Sequence, residues 1–149
     1  MDVLSEVLRI VKLEGVLFFH GEFSEPWCVT TRPKTLAQYL SPEAGQVIVY
    51  HFLTEGRAYA ELPDGGRVEL AAGDIVVFPH GDDHDLGNGQ AKAVDSLQTF
   101  GANLSDGLKV ARFGGGGQIT KFVCGFMACE RHLGNLLLRV AADTQSTCG

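Results

Sequence analysis

"GDIVVFPHGDDHDLGN", Gly73 to Asn88, is the stretch on which the fold turns. A short apolar run, "IVVFP", reads as a buried strand that stops at Pro79, and His80 and His84 follow among Asp82, Asp83 and Asp85. Proline has no N–H to give to a strand ladder, so pairing ends there. Gly73 permits a tight turn into the run and Gly81 a sharp turn out of it. His84 is then expected to point back into the interior, with His80 outside. Gly73, Pro79, Gly81, His84 and Asn88 follow one spacing: G, five residues, P, one, G, two, H, three, N. The aspartates suit turn chemistry.

Upstream the chain reads as β. "VIVYHFLTEG", Val47 to Gly56, is a β-branched and aromatic run that ends in a turn. "RAYAELPDGGRVEL", Arg57 to Leu70, reads as a hairpin about Pro63-Asp64-Gly65-Gly66. "VLFF" (Val16 to Phe19) and "WCVTT" (Trp27 to Thr31) give earlier strands, and "TLAQYLSPEAGQ" reads as loop with a helical turn. Val3, Leu4, Val7, Leu8 and Val11 fall at helical spacing behind Asp2, a good N-cap. Downstream, "AVDSLQTF" has the pattern of a strand and "GANLSDGLKVARFGGGGQ" that of a mobile loop. "ITKFVCGFMACE", Ile119 to Glu130, is the last strand, with Gly125 marking a bulge or a close backbone approach. "RHLGNLLLRVAAD" reads as a short C-terminal helix. The expected class is all-β, a small β-barrel or sandwich with helices at its ends, in one domain over 1–142 and a flexible tail over 143–149.

Composition narrows the function. The chain has 149 residues, 45% hydrophobic and 20% charged, which suits one globular core. A net charge of -6 and no basic cluster argue against direct nucleic-acid contact. No apolar run approaches the roughly 20 residues that span a bilayer. Asp2 and Glu6 in the first stretch, without a basic n-region, do not fit a signal peptide. A cytoplasmic location is therefore expected, and no membrane contact. Cys28, Cys124, Cys129 and Cys148 are then reduced thiols or metal ligands. The spaced ligands of an EF-hand are missing around Asp82 and Asp83. The glycine run at Gly114 to Gly117 lacks the Lys-Ser/Thr of a phosphate loop.

The Gly73–Asn88 spacing is that of the second sequence motif of the cupin barrels, matched at every fixed position. Together with "MDVLSEVLRIVKLEG", "PWC", "YHFLTEGRAYAELP" and "KFVCGFMACERHLGNLLL", the chain resembles the cupin-type sensor domain of AraC-family transcription regulators from Met1 to about Leu138. The resemblance implies a double-stranded β-helix that senses a small-molecule effector or a metal, works as a homodimer and is no enzyme. In that family two helix-turn-helix units follow the cupin. "AADTQSTCG" does not resemble their linker, so DNA binding is not expected of these residues.

Enzyme-type cupins carry two histidines and a glutamate in a first motif. Counted back from Gly56, those slots fall near Glu43 and Gly45 and on Val49. His51 lies two residues beyond Val49, on the same strand face. His51, His84, Cys124 and Cys129 thus form a candidate tetrahedral Zn²⁺ set of imidazoles and thiolates. Cys124 and Cys129 are five apart, so they need a bulge or a strand end to share a face. Buried free cysteine is more often a small hydrophobe. Trp27, Phe52, Tyr59 and Phe126 are the candidate ligand-pocket residues. The second function weighed is a stand-alone metal-dependent cupin enzyme, a dioxygenase or isomerase, which requires an open metal position.

Overall fold

The computed structural model describes residues 13–40, 46–105 and 109–129, with side chains described over 18–38, 46–103 and 109–127. The helices expected at the two ends, the tail and the slots at Glu43 and Gly45 lie outside the described residues. Ten strands and two helices follow one another. They are β1 (Leu13–Ser24), β2 (Trp27–Thr31), α1 (Pro33–Leu40), β3 (Gln46–Glu55), β4 (Arg57–Glu61) and β5 (Arg67–Ala71). After these come β6 (Ile75–Phe78), β7 (His84–Asn88), β8 (Val94–Asp95), α2 (Ser96–Ser105), β9 (Val110–Gly114) and β10 (Ile119–Cys129). No helix among the described residues is long and apolar enough to cross a membrane.

Two five-stranded sheets result, one in the order β6-β3-β10-β1-β9 and the other β5-β4-β7-β2-β8. The chain crosses between them at β1–β2, β2–β3, β3–β4, β5–β6, β6–β7 and β8–β9, winding them into a double-stranded β-helix. Strand alternation decides what lies between the sheets. On β3, Val49, His51 and Leu53 face inward and are buried, while Phe52 is 37% exposed. Phe19, Phe23, Trp27, Phe100 and Phe122 fill the middle in edge and stacked contacts between 4.9 and 6.2 Å. Such pairs add about 0.5–1.5 kcal/mol each beyond burial.

Four local expectations are corrected. "PKTLAQYL" is a helix, with Pro33 as its first residue and the Leu36 N–H donating to the Arg32 carbonyl at 3.0 Å. β6 is not a buried strand: it lies at an edge, paired only with β3, and alternation turns Ile75 and Val77, opposite Phe52 and Tyr50, to the outer face, where they are 55% and 44% exposed. A continuous apolar run does not separate an edge from a centre. "AVDSLQTF" is strand only at Val94–Asp95 and then becomes α2. There Asp95 caps the helix by accepting from the Gln98 N–H at 3.0 Å. In the expected loop, Val110–Gly114 is a strand lying parallel to β1.

Gly81 sits at φ 66°, turning the chain from β6 toward β7. Gly125 makes no bulge: β10 runs from Cys124 opposite His51 to Cys129 opposite Gln46 without a register shift. What it provides is close approach, because a Cβ there would collide with the Tyr50 ring.

Candidate functional site

β3 presents His51 from one sheet and β7 presents His84 from the other, and both side chains are buried. Register places Cys124 opposite His51 on the neighbouring strand. The three side chains form a row. Cys124 Sγ lies 2.6 Å from His51 Nδ1. His51 Nε2 lies 2.7 Å from His84 Nε2. His84 Nδ1 lies 2.8 Å from the Asp82 carbonyl oxygen. Phe78 stacks on the His84 ring at 3.6 Å and 4°.

The protons in this row are determined by its far end. A carbonyl only accepts, so His84 Nδ1–H donates to Asp82. Neutral His84 then accepts at Nε2, so His51 donates from Nε2 and accepts at Nδ1 from the Cys124 S–H. Every bond is satisfied with all three groups uncharged. Burial favours that state. It lowers His51 well below the usual imidazole range, and the neighbouring His84 adds to the shift. Burial also lowers His84, against the opposing pull of the hydrogen bond to Asp82 and of the Asp85, Asp83 and Asp82 carboxylates. The Cys124 thiol is pushed far up by burial alone.

A tetrahedral ion needs ligands that converge on one point. The two nitrogens of His51 point away from each other, one toward Cys124 and one toward His84, so these three do not converge. Among the described residues no group of three or more His, Cys, Asp or Glu side chains is placed to hold a metal. The Cys129 side chain lies outside the described residues. As placed, these three side chains form a hydrogen-bonded row whose ligand atoms do not converge on one point. His80 is exposed, as its place in the motif implied.

Beside the row is a cavity between the sheets. Its volume is about 590 Å³ including the open mouth, of which about 60 Å³ is room for the centres of water-sized molecules. Its walls are aromatic and aliphatic, with Thr31, Ser96, His51, Cys124 and the Trp27 indole as the polar side chains; among the described residues no Asp, Glu, Lys or Arg lines it. Trp27 and Phe126 line it, as expected, and Phe52 and Tyr59 do not. Phe52 faces the outside of its sheet. Tyr59 lies on the outer face of the other sheet under the Arg67 guanidinium, 3.9 Å from its ring centre. Burial and the neighbouring Cys28 push the Tyr59 hydroxyl up to about 12. Phe19, Phe23, Phe100 and Phe122 complete the walls and were missed. "FFHGEF" held a signal, since Phe19 and Phe23 share one strand face.

The Trp27 Nε1–H is buried and has no hydrogen-bond partner, alone in this among the described residues. An unmet buried donor costs about 1–3 kcal/mol.

The cupin family profile matches residues 2–140. No curated protein matches the sequence. Among solved structures, a protein of Neisseria meningitidis is 12% identical, with 85% of this chain and 98% of that one covered at a TM-score of 0.42. An HTH_3 family transcriptional regulator of Vibrio cholerae is 14% identical at a TM-score of 0.41; 78% of this chain covers 44% of it. The Cupin_2 domain of an XRE family transcriptional regulator of Enterobacter cloacae is 14% identical at a TM-score of 0.43, with 81% and 96% covered.

Proposed function

The chain belongs to the cupin family, and on that premise we propose that it is a regulatory domain, of the kind found in AraC-type regulators, that senses a small apolar molecule in its barrel. It stands beside catalysis: occupancy of the cavity is the signal, and turnover is not required. One observation carries the reading. Among the described residues, an apolar cavity with no charged side chain in its walls is lined by the indole of Trp27, whose buried N–H has no partner. A ligand with an apolar body and one acceptor oxygen satisfies that donor and fills the space between the aromatic rings.

The test is a binding screen of small cyclic ketones, alcohols and hydrocarbons of matched size, followed through the Trp27 fluorescence. Trp27 is the chain's single tryptophan, so the signal is local. Ketones binding at least about 10-fold tighter than the hydrocarbons, with that gap closing in Trp27→Phe, supports the reading, since one hydrogen bond is worth about that much. Hydrocarbons binding as well as ketones, or neither binding, overturns it.

A further inference from the structure

We propose that Cys124 captures its ligand covalently, taking small apolar α,β-unsaturated carbonyl compounds with His51 as the base; this rests on the ligand-binding reading above. Cys124 lines the cavity and keeps some exposed surface. Its Sγ is 2.6 Å from His51 Nδ1, the nitrogen left free to accept. The other nitrogen of His51 is held by His84, which is fixed in turn by the Asp82 carbonyl. At rest burial keeps the pair as neutral thiol and neutral imidazole, so His51 acts during the attack itself, taking the proton as the S–C bond forms; a nucleophile, its base and a group that orients the base are the parts such a step needs. Cys28, the other cysteine whose side chain is described, has no such base. It sits on the outer face of the second sheet with Tyr59 as its partner.

The class of electrophile follows from the cavity. A soft sulfur nucleophile suits a soft carbon centre, and uncharged aromatic walls select an uncharged molecule. Trp27 lines the same cavity, and its buried N–H, without a partner among the described residues, is the donor the carbonyl oxygen would take up once the indole turns toward it. In the step, a sulfur lone pair forms the S–C bond to the β-carbon. The electron pair of the C=C bond shifts toward the carbonyl, giving an enolate. The thiol proton moves to His51 Nδ1, while the Nε2 proton of His51 passes to His84 Nε2. The same path run backwards delivers a proton from His51 Nδ1 to the α-carbon. Both histidines return to neutral, every atom stays in the adduct, and no oxidant is needed.

The experiment treats the untagged chain with 2-cyclohexen-1-one and maps adducts by peptide mass spectrometry. Cyclohexanone, which lacks the reactive double bond, is the non-covalent control. The expected result is one adduct per chain at Cys124, formed about 100-fold faster than at Cys28, the scale of general-base assistance. Excess cyclohexanone slows it, and His51→Gln slows it by a similar factor. Cyclohexanone binding without an adduct at Cys124 overturns covalent capture and leaves ligand binding standing. Neither compound binding overturns both. His51→Gln reacting at the parent rate while its circular dichroism is unchanged overturns the role of the base. The adduct site and its slowing by cyclohexanone in the parent chain decide covalent capture even where the variant does not fold.

Discussion

His51 and His84 meet nitrogen to nitrogen at 2.7 Å, one from each sheet, so a polar bond crosses the apolar middle of the barrel. Each ring spends both nitrogens. Neither is replaceable alone without stranding a buried polar group on its partner.

His84→Ala should therefore destabilise the chain by about 1–3 kcal/mol for the stranded His51 N–H, with a further cost for the space left beside Phe78. Replacing both histidines by Phe removes both polar partners and should cost less than either single change to Phe. Urea denaturation of the two singles and the double measures the coupling. Additive costs would contradict the bonded pair.

Stability should fall on both sides of neutral pH. Burial holds His51 and His84 below the ordinary imidazole value of about 6.5 in the folded chain, so the unfolded chain binds more protons as pH falls through that region. Their contribution is present above about 6.5 and is lost below it. Cys124 and Cys28 are raised from 9.0 and Tyr59 from 10.0, so their contributions are present below those values and lost as pH rises. Melting temperature against pH should be flat between the two limbs. The His51/His84 double Phe variant should flatten the acid limb. Cys124→Val should reduce the alkaline limb without abolishing it, because Cys28 and Tyr59 remain.

Trp27→Phe removes a buried N–H that has no partner as well as some packing volume. The two effects oppose each other, so the net cost should be about 1 kcal/mol or less, against about 3–5 kcal/mol for Trp27→Ala. Thermal denaturation compares them directly. A Phe variant as unstable as the Ala variant would show that the indole N–H is satisfied.

Gly125→Ala puts a methyl group into the Tyr50 ring on the outer face of the first sheet. It should cost about 1–3 kcal/mol by overpacking. Adding Tyr50→Ala should restore most of that loss relative to Tyr50→Ala alone.

Zinc content of the untagged chain should lie below one equivalent and should not change in Cys124→Ser, because the two nitrogens of His51 serve two different partners. Stoichiometric zinc lost in that variant would require the His51 ring to turn and the row to rearrange.

Much of the fold was legible where one face or one turn rule decides. The spacing from Gly73 to Asn88 and the hairpin at Pro63–Gly66 depend on local chemistry, and so does the inward pairing of Val49 with His51. What was not legible depends on neighbours far along the chain. β6 is as apolar as a central strand, and only the sheet order puts it at an edge. Asp95 before Ser96 is a readable helix cap, which the strand reading of "AVDSLQTF" passes over. Phe52 and Tyr59 were assigned to the pocket by type alone, and alternation turns both outward. The site itself was half legible. Sequence brought His51, His84 and Cys124 together as residue types suited to a metal. Only ring orientation, which no spacing encodes, distinguishes a converging set from a row.

The pairing of β1 with β10 also has a consequence in time. Leu13 lies opposite Cys129 and Ser24 opposite Ile119, partners separated by most of the described chain. The second strand from the N-terminus to be needed in the first sheet, β3, waits for the same partner. On the ribosome, where chains grow at roughly 5–20 residues per second, β1 emerges early and its partner last. For several seconds β1 lacks both of its ladder partners, β9 and β10, while β3 has only β6. The barrel cannot form progressively from its N-terminus, and it closes only when its final strand is released, which makes it a slow folder of high contact order.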